Sequence, residues 1–170
     1  MLTDAAAHVL AEHGVIGLSV RAVAAWLRVT PQRVSQMVSR ERLPGVVAAR
    51  FANRWLDWIE YRRWDVGAAC LLPNEDDQVA GVRVWLALSE LARQHPDLTE
   101  IFTRARERER AVLRDLELGV ADRELDLVLA TVEGLRVRLC EPEGALTVHE
   151  ARSLLIRLLE LLGPESARAA

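Results

Sequence analysis

An all-α fold is predicted for this 170-residue chain, on three observations. Apolar residues recur at spacings of three and four along most of its length, the period that lines one face of a helix. The strict alternation of a half-buried strand is nearly absent. The periodic stretches are also punctuated as helices are, with Ser, Thr or Asp at their starts and Gly or Pro at their ends.

The elements follow in order. Thr3 is placed to cap a first helix whose apolar face is Ala6, Val9, Leu10 and His13, and Gly14 to close it. Ser19 caps a second, with Val20, Val23, Ala24 and Leu27 on one side. Thr30 followed by Pro31 is an N-cap with proline at the first helical position, so a short third helix starts there. Only Arg28 and Val29 separate it from the second. Ser39 is expected to cap a fourth helix, with Val47, Phe51, Trp55 and Trp58 on one stripe and an end near Arg63. Pro44 would fall inside it, remove a bond to the Arg40 carbonyl and kink it, with Gly45 loosening it further.

Gly67 and Leu72-Pro73-Asn74 mark a break. Glu75, Asp76 and Asp77 suit the N-terminus of a fifth helix, where negative charge is favoured, running through Val82, Trp85, Leu86 and Leu88 to about Gln94. His95-Pro96-Asp97 reads as a turn before a charged helix through Arg104 to about Leu118. Asp122 opens a seventh helix with Leu125, Val128, Leu129, Val132, Leu135 and Leu139 on one side. Residues 140–146, with Pro142 and Gly144, form a loop. Thr147 and Glu150 make a capping box for the last helix, whose apolar positions are Val148, Ala151, Leu154, Leu155, Leu158, Leu159 and Leu162. Gly163-Pro164 stops it, and residues 165–170 form a frayed tail.

Composition narrows the class. Apolar residues make up 51% and charged residues 28%, the balance of a globular protein. No apolar run approaches the ~20 residues of a membrane span, and no basic-then-apolar leader is seen, so no membrane partner and a cytoplasmic address are expected. Cys70 and Cys140 are expected as free thiols rather than a disulfide or a metal site. The net charge of −3 conceals an asymmetry: residues 1–56 hold seven Arg against Asp4, Glu12 and Glu41, a balance of +4, which leaves −7 on the remainder. A basic N-terminal segment on an acidic body suits a polyanion partner for the first part alone, or else a solvated charged face.

Two short helices joined by a tight turn form the element that lays a recognition helix in a major groove. Val29 can plug the turn, and Val34 and Val38 can anchor the third helix, which leaves Gln32, Arg33, Ser35 and Gln36 facing outward. Gln pairs bidentately with adenine edges and Arg with guanine edges; Arg33 and Gln36 are the expected base contacts. Ser19, Arg21, Thr30 and Arg40 complete the expected DNA-binding set, Thr30 and Arg40 toward phosphates.

Residues 5–51, from Ala-Ala-Ala-His-Val-Leu-Ala-Glu-His-Gly through Ser19-Val-Arg-Ala-Val-Ala-Ala to Ser39-Arg-Glu-Arg-Leu, resemble the N-terminal domain of the tetracycline-repressor (TetR) family. Residues 83–97 and 133–139 resemble its ligand-binding and dimerising segments. The resemblance implies an N-terminal three-helix helix-turn-helix domain, residues 1–45, and a C-terminal helical ligand-binding and dimerisation domain, residues 46–170. It also implies a homodimer built on the last two helices and a pseudo-palindromic operator in double-stranded DNA, usually with repression relieved by an unidentified small-molecule effector. Three departures stand out. Arg28 replaces the glycine the family's turn favours, at a cost on the order of 1 kcal/mol if φ is positive. Ser35 lacks the ring that commonly packs on the DNA backbone. The first helix is read from Thr3, so the basic arm of many relatives is not expected.

The leucine-rich stripes of the last two helices serve either as internal core or, as the resemblance favours, in a four-helix isologous interface. Its expected members are Leu125, Val128, Leu129, Val132, Leu135, Leu139, Leu154, Leu155, Leu158 and Leu162. Four of the five Trp, Trp55, Trp58, Trp64 and Trp85, cluster around the helices a ligand pocket would use. The pocket is expected at Trp55, Trp58, Trp85 and Phe102, between the fourth helix and the Trp85 helix, for an apolar or amphipathic ligand; plain core is the other reading. Catalytic signals are poor: His8, His13, His95 and His149 are scattered, with no metal-ligand spacing, phosphate loop or nucleophile elbow. No enzyme, metal or cofactor is expected. The function expected is a sequence-specific DNA-binding transcription regulator, a homodimeric repressor released by its ligand; the alternative is a helical ligand-binding or protein-interaction dimer whose reader has lost or weakened DNA binding.

Overall fold

The computed structural model describes residues 1–163 except Gln94, Glu117, Gly119 and Gly144, and only the backbone of Asp97. The expectations for Gln94, Gly144, Pro164 and the 165–170 tail lie outside the described residues. The described chain is all-α, with eight helices and no strand: α1 Leu2–Gly17, α2 Val20–Leu27, α3 Pro31–Met37, α4 Leu43–Val66, α5 Val79–Ala92, α6 Pro96–Asp115, α7 Asp122–Leu139 and α8 Val148–Leu162. The N-terminal three-helix arrangement and the larger helical part that follows match the fold class read from the sequence.

Several starts and stops form as their residues dictate. The Ser19 hydroxyl accepts the Ala22 N–H at 3.1 Å, and that of Thr30 accepts the Arg33 N–H at 3.3 Å. At Thr147 the capping box closes both ways: its hydroxyl accepts the Glu150 N–H at 3.2 Å, and its own N–H donates to the Glu150 carboxylate at 2.8 Å. Gly14, at φ +62° and ψ −165°, breaks the α1 helix path, a conformation open to a residue without Cβ.

Four starts differ from expectation. Thr3 lies buried within the first turn of α1, which begins at Leu2. Glu75 to Asp77 do not open α5; Asp76–Gln78 form a separate 3₁₀ turn before it. Pro96 is no turn residue but the first residue of α6, where its missing N–H leaves no intrahelical bond unmade. Pro44 does not kink α4. Residues 39–42 form a turn, with the Leu43 N–H bonded to the Ser39 carbonyl at 3.0 Å, so α4 starts at Leu43 and Pro44 falls in its first turn. A proline there interrupts no bond of the helix interior.

Packing divides the chain into two compact units, residues 1–55 with 80–105, and residues 56–79 with 106–170. In the first, α2 packs on both α1 and α3, and Ala5, Leu10, Val23, Val34, Val47 and Trp85 are among its buried side chains. In the second, α8 packs on α7 and on the 3₁₀ turn Gly67–Leu71. Here Arg136 of α7 is fully buried. Its Nη2 donates to Glu109 Oε1 of α6 at 2.7 Å and to the Leu71 carbonyl at 2.8 Å, which its Nε also reaches at 3.2 Å. The Glu109 side chain is 2% exposed, so both charges are desolvated and each partners the other.

Candidate nucleic-acid interface

The helix-turn-helix is built from local rules. α2 ends where Arg28 turns left-handed, φ 56° and ψ 42°, and the Val29 N–H reaches back to the Ala24 carbonyl at 3.0 Å. That bond satisfies a carbonyl the helix end would otherwise orphan. Arg28 is the one non-glycine residue at positive φ among the described residues, so the turn keeps the geometry for which glycine is better suited. Thr30 caps α3 and Pro31 pre-sets its first dihedral. Val34 is fully buried and Val38 is 8% exposed, and these two side chains hold α3 against its neighbours.

All eight residues expected at DNA, Ser19, Arg21, Thr30, Gln32, Arg33, Ser35, Gln36 and Arg40, are exposed. The cations of this region carry no ion pair among the described residues: Arg21, Arg28, Arg33, Arg40 and Arg42 all stand free. The exposed acid beside them is Glu41; Asp4 is occupied by Arg54 at 2.6 Å. The result is an exposed polar face on α3 flanked by uncompensated guanidinium groups, an arrangement suited to phosphates and base edges. Two residues escaped the sequence reading. Arg42 became visible only when the turn at 39–42 replaced the expected helix. Met37, at the end of α3, is 61% exposed, an apolar side chain beside a polar face.

The aromatic residues expected to line a ligand pocket divide. Trp55, Trp85 and Phe102 meet in a buried series, with ring centroids 5.6 Å and 4.9 Å apart, and Phe51 extends it at 6.3 Å from Trp55. Trp58 is half-buried beneath the Arg62 guanidinium, 5.6 Å from its ring centroid. Trp64 is 68% exposed, with the Arg63 guanidinium 4.7 Å from its ring centroid. A separate open cleft of about 440 Å³ lies between the start of α4 and the start of α6. Glu41, Arg42 and His95 give it polar groups, and Val46, Leu98 and Ile101 apolar ones.

Of the expected interface residues, Leu125, Val128, Val132, Leu135, Leu139 and Leu155 are each at most 7% exposed within the single chain. Leu129, Leu158 and Leu162 are half-buried. Leu154 is 48% exposed, and Leu127 and Leu161 join it outside at 50% and 63%. Among the described residues no group of three His, Cys, Asp or Glu is placed to hold a metal ion, and no helix is long and apolar enough to cross a membrane.

No protein-family model and no curated protein matches the chain. Solved structures do. A transcriptional regulator from Rhodococcus sp. Rha1 superposes with a TM-score of 0.83 at 22% identity, over 95% of this chain and 93% of that one. A protein assigned to the TetR family of transcriptional regulators, from Rhodococcus sp., follows at 0.72 and 18%, over 95% of each chain. A protein assigned as a transcriptional regulator from Pseudomonas aeruginosa PAO1 gives 0.67 and 18%, over 99% of this chain and 91% of that one. The chain therefore has the fold of TetR-type regulators over nearly its whole length.

Proposed function

We propose that a chain of this fold acts as a sequence-specific DNA-binding transcription regulator, a homodimeric repressor on a pseudo-palindromic operator, released by a small-molecule effector. The observation that carries the reading is the outer face of α3: four polar side chains, all exposed, beside cations of the same unit that carry no ion pair among the described residues. A reading face needs that combination, because base edges ask for donors and acceptors while phosphates ask for charge. Residues 1–45 are assigned the reading, residues 46–170 the sensing and dimerisation. Action on DNA accords with the cytoplasmic address expected from the sequence.

The dimer is assigned to the outer faces of α7 and α8, where Leu127 and the pair Leu154 and Leu161 remain exposed. Gly134 of α7 supports it, since a Cβ there would meet nothing within 4 Å and a partner helix could approach closely. For the effector, the cleft between the starts of α4 and α6 offers the volume of a small-molecule site. It also borders residues 41 and 42, a few positions after α3 ends, so an occupant would bear on the segment that leaves the recognition helix.

Titration against operator-bearing duplexes at two salt concentrations tests the reading. Affinity should fall steeply with salt as phosphates release counterions, and Arg40→Ala should weaken all sequences alike while flattening the slope. Weak binding that ignores both salt and Arg40 refutes it, and leaves the helical ligand-binding or protein-interaction dimer in its place.

A further inference from the structure

We infer that each operator half-site carries two A·T pairs two base-pair steps apart, their adenines held by Gln32 and Gln36. The inference rests on the proposed DNA reading and deepens it. Val34, fully buried, fixes the inward direction of α3. At about 100° per residue, Gln32 and Gln36 lie about 160° to either side of Val34 and straddle the outermost line of the helix. Arg33 and Ser35 lie about 100° from Val34, one on each flank. When the outer face enters a groove, the two Gln meet its floor, and Arg33 and Ser35 meet its walls.

Chemistry then selects the base. The Gln amide offers one acceptor and two donors, which match the N6 donor and N7 acceptor of adenine. Guanine presents two acceptors on that edge and would leave the Gln oxygen unpaired. Neither Gln has an intramolecular hydrogen bond among the described residues, so both amides are available without breaking a contact. The spacing follows from the helix. One turn apart, the two side chains are about 6 Å apart along the axis, against about 3.4 Å per base pair. Arg33, on the wall side, is assigned to phosphate rather than to the base edge expected for it from the sequence.

The experiment is selection of the full chain on random duplexes, followed by titration of variants on the enriched site and on single-base changes. Near-palindromes with two A·T pairs at two-step spacing in each half are expected. Gln32→Ala and Gln36→Ala should each lose about 5- to 100-fold on that site and relax preference at one of the two positions. Gln36→Arg should switch its position from A·T toward G·C, which a merely structural residue would not do. Arg33→Ala should weaken every sequence alike. Unchanged melting temperatures establish that the exposed substitutions leave the fold intact. Enriched sites without that A·T spacing, or Gln variants that weaken all sequences equally, overturn the inference and leave DNA reading standing. Recovery of no enriched sequence overturns both.

Discussion

The buried pair of Arg136 and Glu109 gives the sharpest handle on stability. Replacing Arg136 by Met keeps the apolar stem but removes the guanidinium. It takes the guanidinium partner from a carboxylate that is 2% exposed and both guanidinium donors from the Leu71 carbonyl. Breaking a buried pair from one side costs about 3–5 kcal/mol, mostly the penalty of the charge left behind. An orphaned carbonyl accounts for about 1–3 kcal/mol of that kind of cost. Against a total of about 5–15 kcal/mol, a large share of the stability goes. In a chain of this length the melting temperature should fall by about 6–20 °C. The cause is separable. If the buried charge deprived of its guanidinium dominates, Glu109→Gln in the Arg136→Met background restores part of the loss, and Glu109→Leu with Arg136→Leu approaches native stability. Thermal and urea unfolding of the four proteins measures this. An Arg136→Met variant within about 1 kcal/mol of the native chain, or a Gln that rescues nothing, would refute the argument.

Other outcomes follow from single features. Arg28→Gly relieves the left-handed conformation at the α2–α3 turn and should raise stability by about 0.5–1 kcal/mol, read as a higher melting temperature; a lower one would mean the Arg28 side chain does more than occupy the turn. Burial, with the Glu109 carboxylate second, pushes the Cys70 thiol from 9.0 up to about 12. The folded state therefore holds that proton longer than the unfolded chain, so stability present below pH 9 should drain away above it, by at most about 1.4 kcal/mol per pH unit. Cys70→Ala should flatten that alkaline decline, and native Cys70 should resist a thiol reagent at pH 8 until the chain unfolds. Leu154→Glu with Leu161→Glu changes two exposed positions, so the subunit should keep its fold while sedimentation shifts from dimer to monomer. A variant that still sediments as a dimer places the interface elsewhere.

Legibility varied with how local the cause was. The α2–α3 hairpin was readable because its determinants are neighbours: Ser19, Thr30 and Pro31 act on residues two or three positions away, and Val34 and Val38 turn the polar side of α3 outward. The buried ion pair leaves a trace in the sequence. Val128, Val132 and Arg136 fall at i, i+4 and i+8, and Phe102, Ala105, Glu109 and Val112 at i, i+3, i+7 and i+10. Opposite charges standing inside two apolar stripes are the signature of a desolvated pair. The place of Pro44 in the first turn of α4 has a different cause. Ser39 looks like a cap, and nothing nearby says that a turn of 39–42 comes before the helix.

What the sequence by itself determined is the helical content, the capped starts of α2, α3 and α8 and the polar outer face of α3. Each depends on backbone dihedrals and on contacts within a few residues, which periodicity and capping chemistry encode. Only the tertiary structure decided that Leu125, Val128, Val132 and Leu155 are interior while Leu154 and Leu161 stay outside. It alone decided that Trp55, Trp85 and Phe102 pack in series while Trp64 stands in solvent. An amphipathic stripe states that one face of a helix must be covered; which neighbour covers it, and where coverage stops, depends on side chains brought together from distant parts of the chain.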